Sequence, residues 1–380
     1  MRITIVLGAF FPVPPVMGGA VEKVWFALAR EFVRRGHDVT QISRSHPGFP
    51  RRETLDGVKH LRVRGFNQPS GRLWLKFLDL IYSLRVRRVL PSADILVTNT
   101  FWLPLLVRTK NKGLLYLHVQ RGPKGQMRWY RHAARLLAVS RAIADAIVAE
   151  APEVQPLVRV IPNALPFPLP ATSTQPRNKT LLFVGRVHPE KGLDLLLRAL
   201  GQLSANVLAG WKLEIVGPHE THLGGGGEEF ARNLRSLAAQ SGLNLEWVGP
   251  VFDESELIRR YQSAAVFVYP SIAETGEALP VAPLEAMANG CVPLVSGLAC
   301  FEDYIENDKT GFVFDHRGPD AEKNLADRLA HIFQTPANQL VAIGQAARAR
   351  MAQFAVEPVA DRYLADFATL LVKDQTLAQR

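Results

Sequence analysis

Cysteine is nearly absent from this chain. Cys291 and Cys300 are the two in 380 residues, too few for a disulfide framework and suited to a reduced, cytoplasmic protein. No apolar run reaches the ~18 residues that a membrane-spanning helix needs. Metal-ligand spacings are scarce too: there is no Cys-x-x-Cys or Asp-x-Asp. No metal site and no cofactor are expected. Neither G-x-x-x-x-G-K-[ST] nor G-x-S-x-G occurs, which excludes a P-loop and a nucleophile elbow. Acidic residues are scarce in one place. Between Arg62 and Arg135, fifteen Lys and Arg meet only Asp79 and Asp94, within a chain of net charge +10. Such a stretch implies an anionic partner: membrane lipid, nucleic acid or a phosphorylated substrate.

What is present is a globular, 47% hydrophobic chain of two-domain length. Its N-terminus, M-R-I-T-I-V-L-G-A-F-F-P-V-P-P, has the outline of a weak signal peptide. Pro12, Pro14 and Pro15 break the apolar stretch, so Ile3 to Val6 reads as a first buried strand. Ala20 to Arg35 reads as an amphipathic helix with Val21, Val24, Trp25, Leu28 and Phe32 on one face. Further strands are expected near residues 39–42, 95–97, 113–117, 136–139 and 159–161. A proline-rich segment, 166–179, reads as a linker. A second series then alternates strands at 180–184, 212–216, 245–248, 265–269 and 292–295 with helices at 193–202, 228–241, 254–263 and 283–289. The tail is helical. Repeated strand-helix-strand units predict an α/β fold with two doubly wound, Rossmann-like domains facing across a cleft: 1–165, and 180–357 after the linker.

The most informative stretch is E-A-L-P-V-A-P-L-E, from Glu277 to Glu285. Pro280 and Pro283 make one continuous helix across it unfavourable. Glu277 is therefore placed in a loop and Glu285 in the helix that opens near Pro283. Carboxylates at strand ends of an α/β domain can grip sugar or ribose hydroxyls. The plain alternatives are a loop acid and a helix N-terminal charge. A second stretch, Gly185-Arg186-Val187-His188-Pro189-Glu190-Lys191-Gly192, joins a strand end to a helix start. Two cations beside a helix N-terminus form an anion site suited to a diphosphate. The plain alternative is a solvated basic turn.

Gly18-Gly19 opens the first helix and allows close backbone approach to a phosphate or sugar. His118 ends a strand of the first half, where an acceptor hydroxyl could sit, although strand-end histidines are more often structural. Gly71 to Arg88 reads as a helix rich in aromatic and basic residues. It suits either an anionic bilayer surface or ordinary packing with solvated arginines.

Taken in order, Gly18-Gly19, Val139-Ser140, Val160-Ile161-Pro162-Asn163, Gly185-Arg186 with Lys191-Gly192, Ile215-Val216-Gly217, Tyr269-Pro270-Ser271, Glu277–Glu285 and Thr310-Gly311 resemble the family 4 retaining glycosyltransferases of the two-Rossmann (GT-B) group. The resemblance implies a nucleotide diphosphate sugar as donor and a lipid-linked or saccharide acceptor. It implies that Arg186 and Lys191 neutralise the diphosphate, that Glu285 binds the ribose and that Glu277 binds the donor sugar. Gly18, Gly19 and Gly185, with Pro280 and Val281, would line the donor, and His118 would lie near the reacting centre. It also implies that a C-terminal helix, 358–380, returns to the first domain. One departure stands out: the family commonly reads Glu-Gly-Phe-Gly where this chain reads Glu277-Ala278-Leu279-Pro280, and Pro280 has no N–H to donate.

The expected function is sugar transfer with retention, without metal, in envelope polysaccharide or glycolipid synthesis. It would take place in the cytoplasm or on the inner face of the membrane, to which the basic first domain could bind. An epimerase or phosphorylase of the same fold is the nearest alternative. A non-catalytic nucleotide- or polyanion-binding protein is the other. Strand-end acids would repel a polyanion, so nucleic acid is not expected as a partner.

Overall fold

The computed structural model describes residues 1–69, 71–171 and 177–378; residues 172–176 of the expected linker lie outside them. The chain divides into two compact units, Met1–Pro168 with Phe354–Arg380, and Leu169–Gln353.

The first unit runs β1 (Arg2–Val6), α1 (Ala20–Arg34), β2 (Asp38–Arg44), β3 (Arg52–Leu55), β4 (Val58–Val63), α2 (Arg72–Val89), β5 (Ile95–Thr98), α3 (Leu103–Leu106), β6 (Leu114–Val119), β7 (Arg135–Ala138), α4 (Arg141–Glu150) and β8 (Val158–Val160). Its sheet has the order β3-β4-β2-β1-β5-β6-β7-β8. Every pairing is parallel except β3 with β4. Ile3, Ile5, Ile95, Leu96 and Val97 are buried, as near-continuous apolar strands of a doubly covered parallel sheet must be. On α1 the 3–4 spacing buries Val24, Trp25, Leu28 and Phe32. The β3–β4 hairpin was not among the expected strands. It turns through Asp56 and Gly57, both with positive φ (49° and 78°).

The second unit runs β9 (Asn178–Val184), α5 (Leu193–Gly201), α6 (Ala205–Leu208), β10 (Lys212–Val216), α7 (Gly227–Ser241), β11 (Asn244–Gly249), α8 (Glu254–Ser263), β12 (Ala264–Tyr269), α9 (Val281–Ala288), β13 (Val292–Ser296), β14 (Phe312–Phe314), α10 (Ala321–Gln334) and α11 (Ala337–Arg350). Its sheet is parallel throughout, in the order β11-β10-β9-β12-β13-β14. Numbered within the unit, that order is 3-2-1-4-5-6, the Rossmann order. The direction of winding reverses between β9 and β12, which lie side by side at the centre.

The last helix, α12 (Val356–Ala378), belongs to the first unit. Tyr363 packs its ring 5.2 Å from that of Trp25 on α1, and Phe367 lies 4.9 Å from Tyr116 on β6. Asp366 accepts from Arg135 Nε at 2.9 Å and Nη2 at 2.6 Å, and from the Tyr116 hydroxyl at 2.9 Å. Arg135 is buried, and so is Arg62, which pairs with Glu53 and donates to the carbonyls of Val13 and Pro50. These two members of the basic stretch are internal ties, not surface charge.

Removing one partner of a buried ion pair strands the other charge, which costs about 3–5 kcal/mol. Asp366→Ala is therefore expected to lower stability by roughly that amount, read from the urea midpoint. An Arg135→Met/Asp366→Leu double variant should recover most of it. A loss below ~1 kcal/mol in the single variant would show that this pair does not anchor α12.

Candidate active site at the centre of the second sheet

Because β9 and β12 are neighbours at the reversal point, the loops at their carboxyl ends converge. The β9 loop carries Gly185, Arg186 and Lys191; the β12 loop carries Ser271 and Glu277. Gly192 allows them to meet. It sits at φ 67°, and a Cβ there would lie 2.1 Å from the carbonyl oxygen of Pro270, so no larger residue fits between the loops. The adjacent contacts are backbone: Ile272 N–H donates to the Glu190 carbonyl at 3.0 Å.

Lys191 and Glu277 form an ion pair in which both side chains are less than a tenth exposed. Lys191 Nζ also donates to the Tyr269 hydroxyl at 2.8 Å. That hydroxyl donates to Glu277 Oε1 at 3.1 Å, and Ser271 Oγ lies 2.9 Å from the same oxygen. Burial, and after it the Glu277 carboxylate, hold the Tyr269 hydroxyl protonated well above its usual range. All three side-chain donors reach Oε1. Among the described residues none bonds to Oε2. The carboxylate is thus fixed through one oxygen and presents the other.

Arg186 donates to the Gly224 carbonyl and to Glu190 Oε1, each at 2.6 Å. Glu285 lies on α9, is buried, and accepts from the Tyr261 hydroxyl at 2.9 Å. Pro280 caps α9 and Val281 is its first residue, so the helix opens two residues before Pro283, where it was expected to begin. The donor groups Tyr269, Ser271 and Tyr261 were not identified beforehand as site residues. The signal was present for two of them: Tyr269 ends an apolar strand and Ser271 follows it, six positions before Glu277. The direct Lys191–Glu277 contact also differs from the expected division of labour, which set Lys191 on a diphosphate and Glu277 on a sugar. Among the described residues, no group of three or more His, Cys, Asp or Glu is gathered as metal ligands.

The other expected residues lie in the first unit. Gly18 and Gly19 both have positive φ, and Gly19 caps α1. A Cβ on Gly19 would meet Glu22 Oε2 at 2.2 Å, because the Glu22 side chain folds back beneath the turn. His118 is in the core. Trp25 Nε1–H donates to its Nδ1 at 2.9 Å, and the Tyr363 hydroxyl is 3.4 Å from its Nε2.

Two family models match the chain in succession: Glycosyltransferase Family 4 over residues 17–166 and Glycosyl transferases group 1 over residues 170–350. The chain is a family 4, group 1 glycosyltransferase. A lipopolysaccharide 1,2-N-acetylglucosaminetransferase of Salmonella typhimurium is 22% identical, over 90% of this chain and 93% of its own. A putative colanic acid biosynthesis glycosyltransferase of Escherichia coli is 29% identical, over 54% of this chain and 47% of its own. Among solved structures, a sucrose-phosphate synthase from Thermosynechococcus elongatus superposes with a TM-score of 0.79 at 18% identity, covering 98% of this chain and 100% of that one. HepE of Anabaena, in complex with UDP-glucose, does so with a TM-score of 0.73 at 17% identity, covering 97% and 100%. These likenesses show the GT-B fold that the ordered motifs implied.

Among the titratable groups of the glycosyltransferase's first unit that burial shifts, His118 and Glu22 move in opposite senses. His118 is driven down to about 3 and stays neutral. Glu22 is driven up to about 7 from 4.5. Folded Glu22 thus holds its proton up to about pH 7, while the unfolded carboxyl loses it near 4.5. Its contribution to stability is full below that lower value and falls as pH rises to the upper one, by roughly 3 kcal/mol. Glu22→Gln has no such dependence. Its stability relative to the parent should therefore improve by about 3 kcal/mol between pH 4 and pH 8 in parallel denaturant titrations. A constant difference would show that Glu22 ionises normally.

Proposed function

We propose that this glycosyltransferase moves a sugar from a nucleotide diphosphate sugar to an acceptor hydroxyl, with retention and without a metal. The observation that carries the reading is Glu277: a buried carboxylate locked through Oε1 by Lys191, Tyr269 and Ser271, with Oε2 presented at the reversal point of a Rossmann sheet. Such an oxygen accepts from a sugar hydroxyl without reorganising. Glu285, on the next helix, would take the ribose hydroxyls. Arg186, Lys191 and the Val281 N–H at the start of α9 would meet the diphosphate as negative charge builds on it. The HepE neighbour holds UDP-glucose, which supports a nucleotide sugar as donor.

The second unit is then the donor side and the first unit the acceptor side. Gly18 and Gly19 offer backbone to the phosphates, and His118 serves as an uncharged hydrogen-bonding group, not as a proton carrier. In this reading no carboxylate is assigned as a covalent nucleophile, so departure and attack occur on the same face. The relatives named for lipopolysaccharide and colanic acid synthesis favour an envelope polysaccharide or glycolipid as product.

Glu277→Gln and Lys191→Met are each expected to lower kcat/KM by about 10²–10³-fold, measured with a panel of nucleotide sugars. Rates within twofold of the parent in both would overturn the assignment. NMR of the product should show the donor's anomeric configuration; inversion would remove retention. Activity should survive excess chelator. Sugar conversion without any acceptor would favour the epimerase reading, and a phosphate requirement the phosphorylase reading.

A further inference from the structure

Helix α2 is inside out. Its inward face carries Asp79, Tyr82, Ser83 and Val86, all buried. Its outward stripe carries Leu73, Phe77, Leu80 and Leu84, at the 4-3-4 spacing that places residues on one side of a helix. Leu73 is 85% exposed, Trp74 59% and Phe77 50%. An ordinary surface helix points such a stripe at the core. Exposed Lys76, Arg87 and Arg88 flank it.

The fold extends this stripe with aromatic residues from two other segments. Asp79 accepts from the N–H groups of Phe101 and Trp102 at 3.1 and 3.0 Å, which ties the start of α3 to α2. Trp102 Nε1–H donates to the Lys76 carbonyl at 2.8 Å, and Lys76 Nζ lies 4.5 Å from the centre of the Phe101 ring. Phe101 in turn packs 5.9 Å from Trp129, which is 47% exposed and stands between exposed Arg128 and Arg131. Tyr130 fixes this corner by donating from its hydroxyl to the Phe101 carbonyl at 2.9 Å. Three stretches distant in sequence thus form one apolar, aromatic face with a cationic rim. The acids within the basic stretch do not offset that rim: Asp79 is buried and Asp94 is tied to Arg2.

We infer that this face of the first unit docks on an anionic lipid bilayer, with Leu73, Trp74, Phe77 and Trp129 in the interface and Lys76, Arg87, Arg88, Arg128 and Arg131 on the headgroups. Charge complementarity selects the occupant. A nucleic acid would match the cations but would leave Leu73, Phe77 and Leu84 against phosphate. An interfacial bilayer takes both the apolar stripe and the charge. Among the described residues no helix is long and apolar enough to cross a membrane, so the helix lies on the bilayer and does not span it.

Flotation of the full chain with vesicles tests this. Vesicles of phosphatidylglycerol and phosphatidylcholine at about 3:7 should carry the parent protein upward at ~0.1 M salt, and pure phosphatidylcholine should not. Leu73→Ser/Phe77→Ser should weaken binding at least ~10-fold, and Arg87→Glu/Arg88→Glu should abolish the preference for anionic lipid. Both pairs are exposed, so unchanged thermal midpoints and unchanged turnover with a soluble acceptor should accompany the loss. Donor transfer and bilayer docking are thereby read separately. Failure of the parent to float, equal flotation with both lipids, undiminished flotation of Leu73→Ser/Phe77→Ser, or binding of a single-stranded oligonucleotide in place of vesicles would each overturn the assignment.

Discussion

The Lys191–Glu277 ion pair is the constraint on which the architecture of the second unit's central site turns. A buried pair of charges is tolerated only when further hydrogen bonds satisfy it. Here Tyr269 and Ser271 provide them, and both stand at the end of β12. Lys191 comes from the loop after β9, so the pair requires β9 and β12 to be adjacent. That adjacency arises only where the winding of the sheet reverses. Gly192 is fixed by the same requirement, since its backbone lies against Pro270 where no side chain fits. Strand order, the left-handed glycine and the orientation of the Glu277 carboxylate are therefore one structural fact seen at three scales.

The regular parts of this arrangement were legible from residues alone. Strands buried on both faces, such as β9 and β12, stand out as apolar runs. Pro280 and Pro283 separate the Glu277 loop from the Glu285 helix, because proline cannot sit within one continuous helix there. What could not be read was contact at long range. Lys191 and Glu277 are 86 positions apart, and their meeting depends on a strand order that no local pattern encodes. Arg62 and Arg135 were counted with the surface charge for a related reason. Their partners Glu53 and Asp366 lie outside the basic stretch, and the second is 231 positions away. The β3–β4 hairpin was within reach: Asp56-Gly57 between two short alternating runs is a hairpin turn signal. On α2 the helical pattern was visible, but which face looks outward depends on what packs beneath it.

The E-A-L-P departure gains a physical meaning from this geometry. Ala278 and Leu279 are buried, so the segment between Glu277 and α9 is held by apolar packing where the family commonly has glycine. Pro280 and Pro283 remove two N–H groups from the start of α9, which leaves Val281 and Ala282 as the donors of its first turn. A diphosphate placed there would draw less on the helix and more on side-chain cations. Those cations are already engaged, Lys191 by Glu277 and Arg186 by Glu190. Binding of the proposed donor would have to loosen these pairs or share them. A ligand whose phosphates compete with the Glu190 carboxylate for Arg186, and whose sugar hydroxyls occupy Glu277 Oε2, would leave the buried Lys191–Glu277 pair intact. Selectivity for the proposed donor would then reside in the exchange of ion pairs, not in a preformed ring of backbone amides.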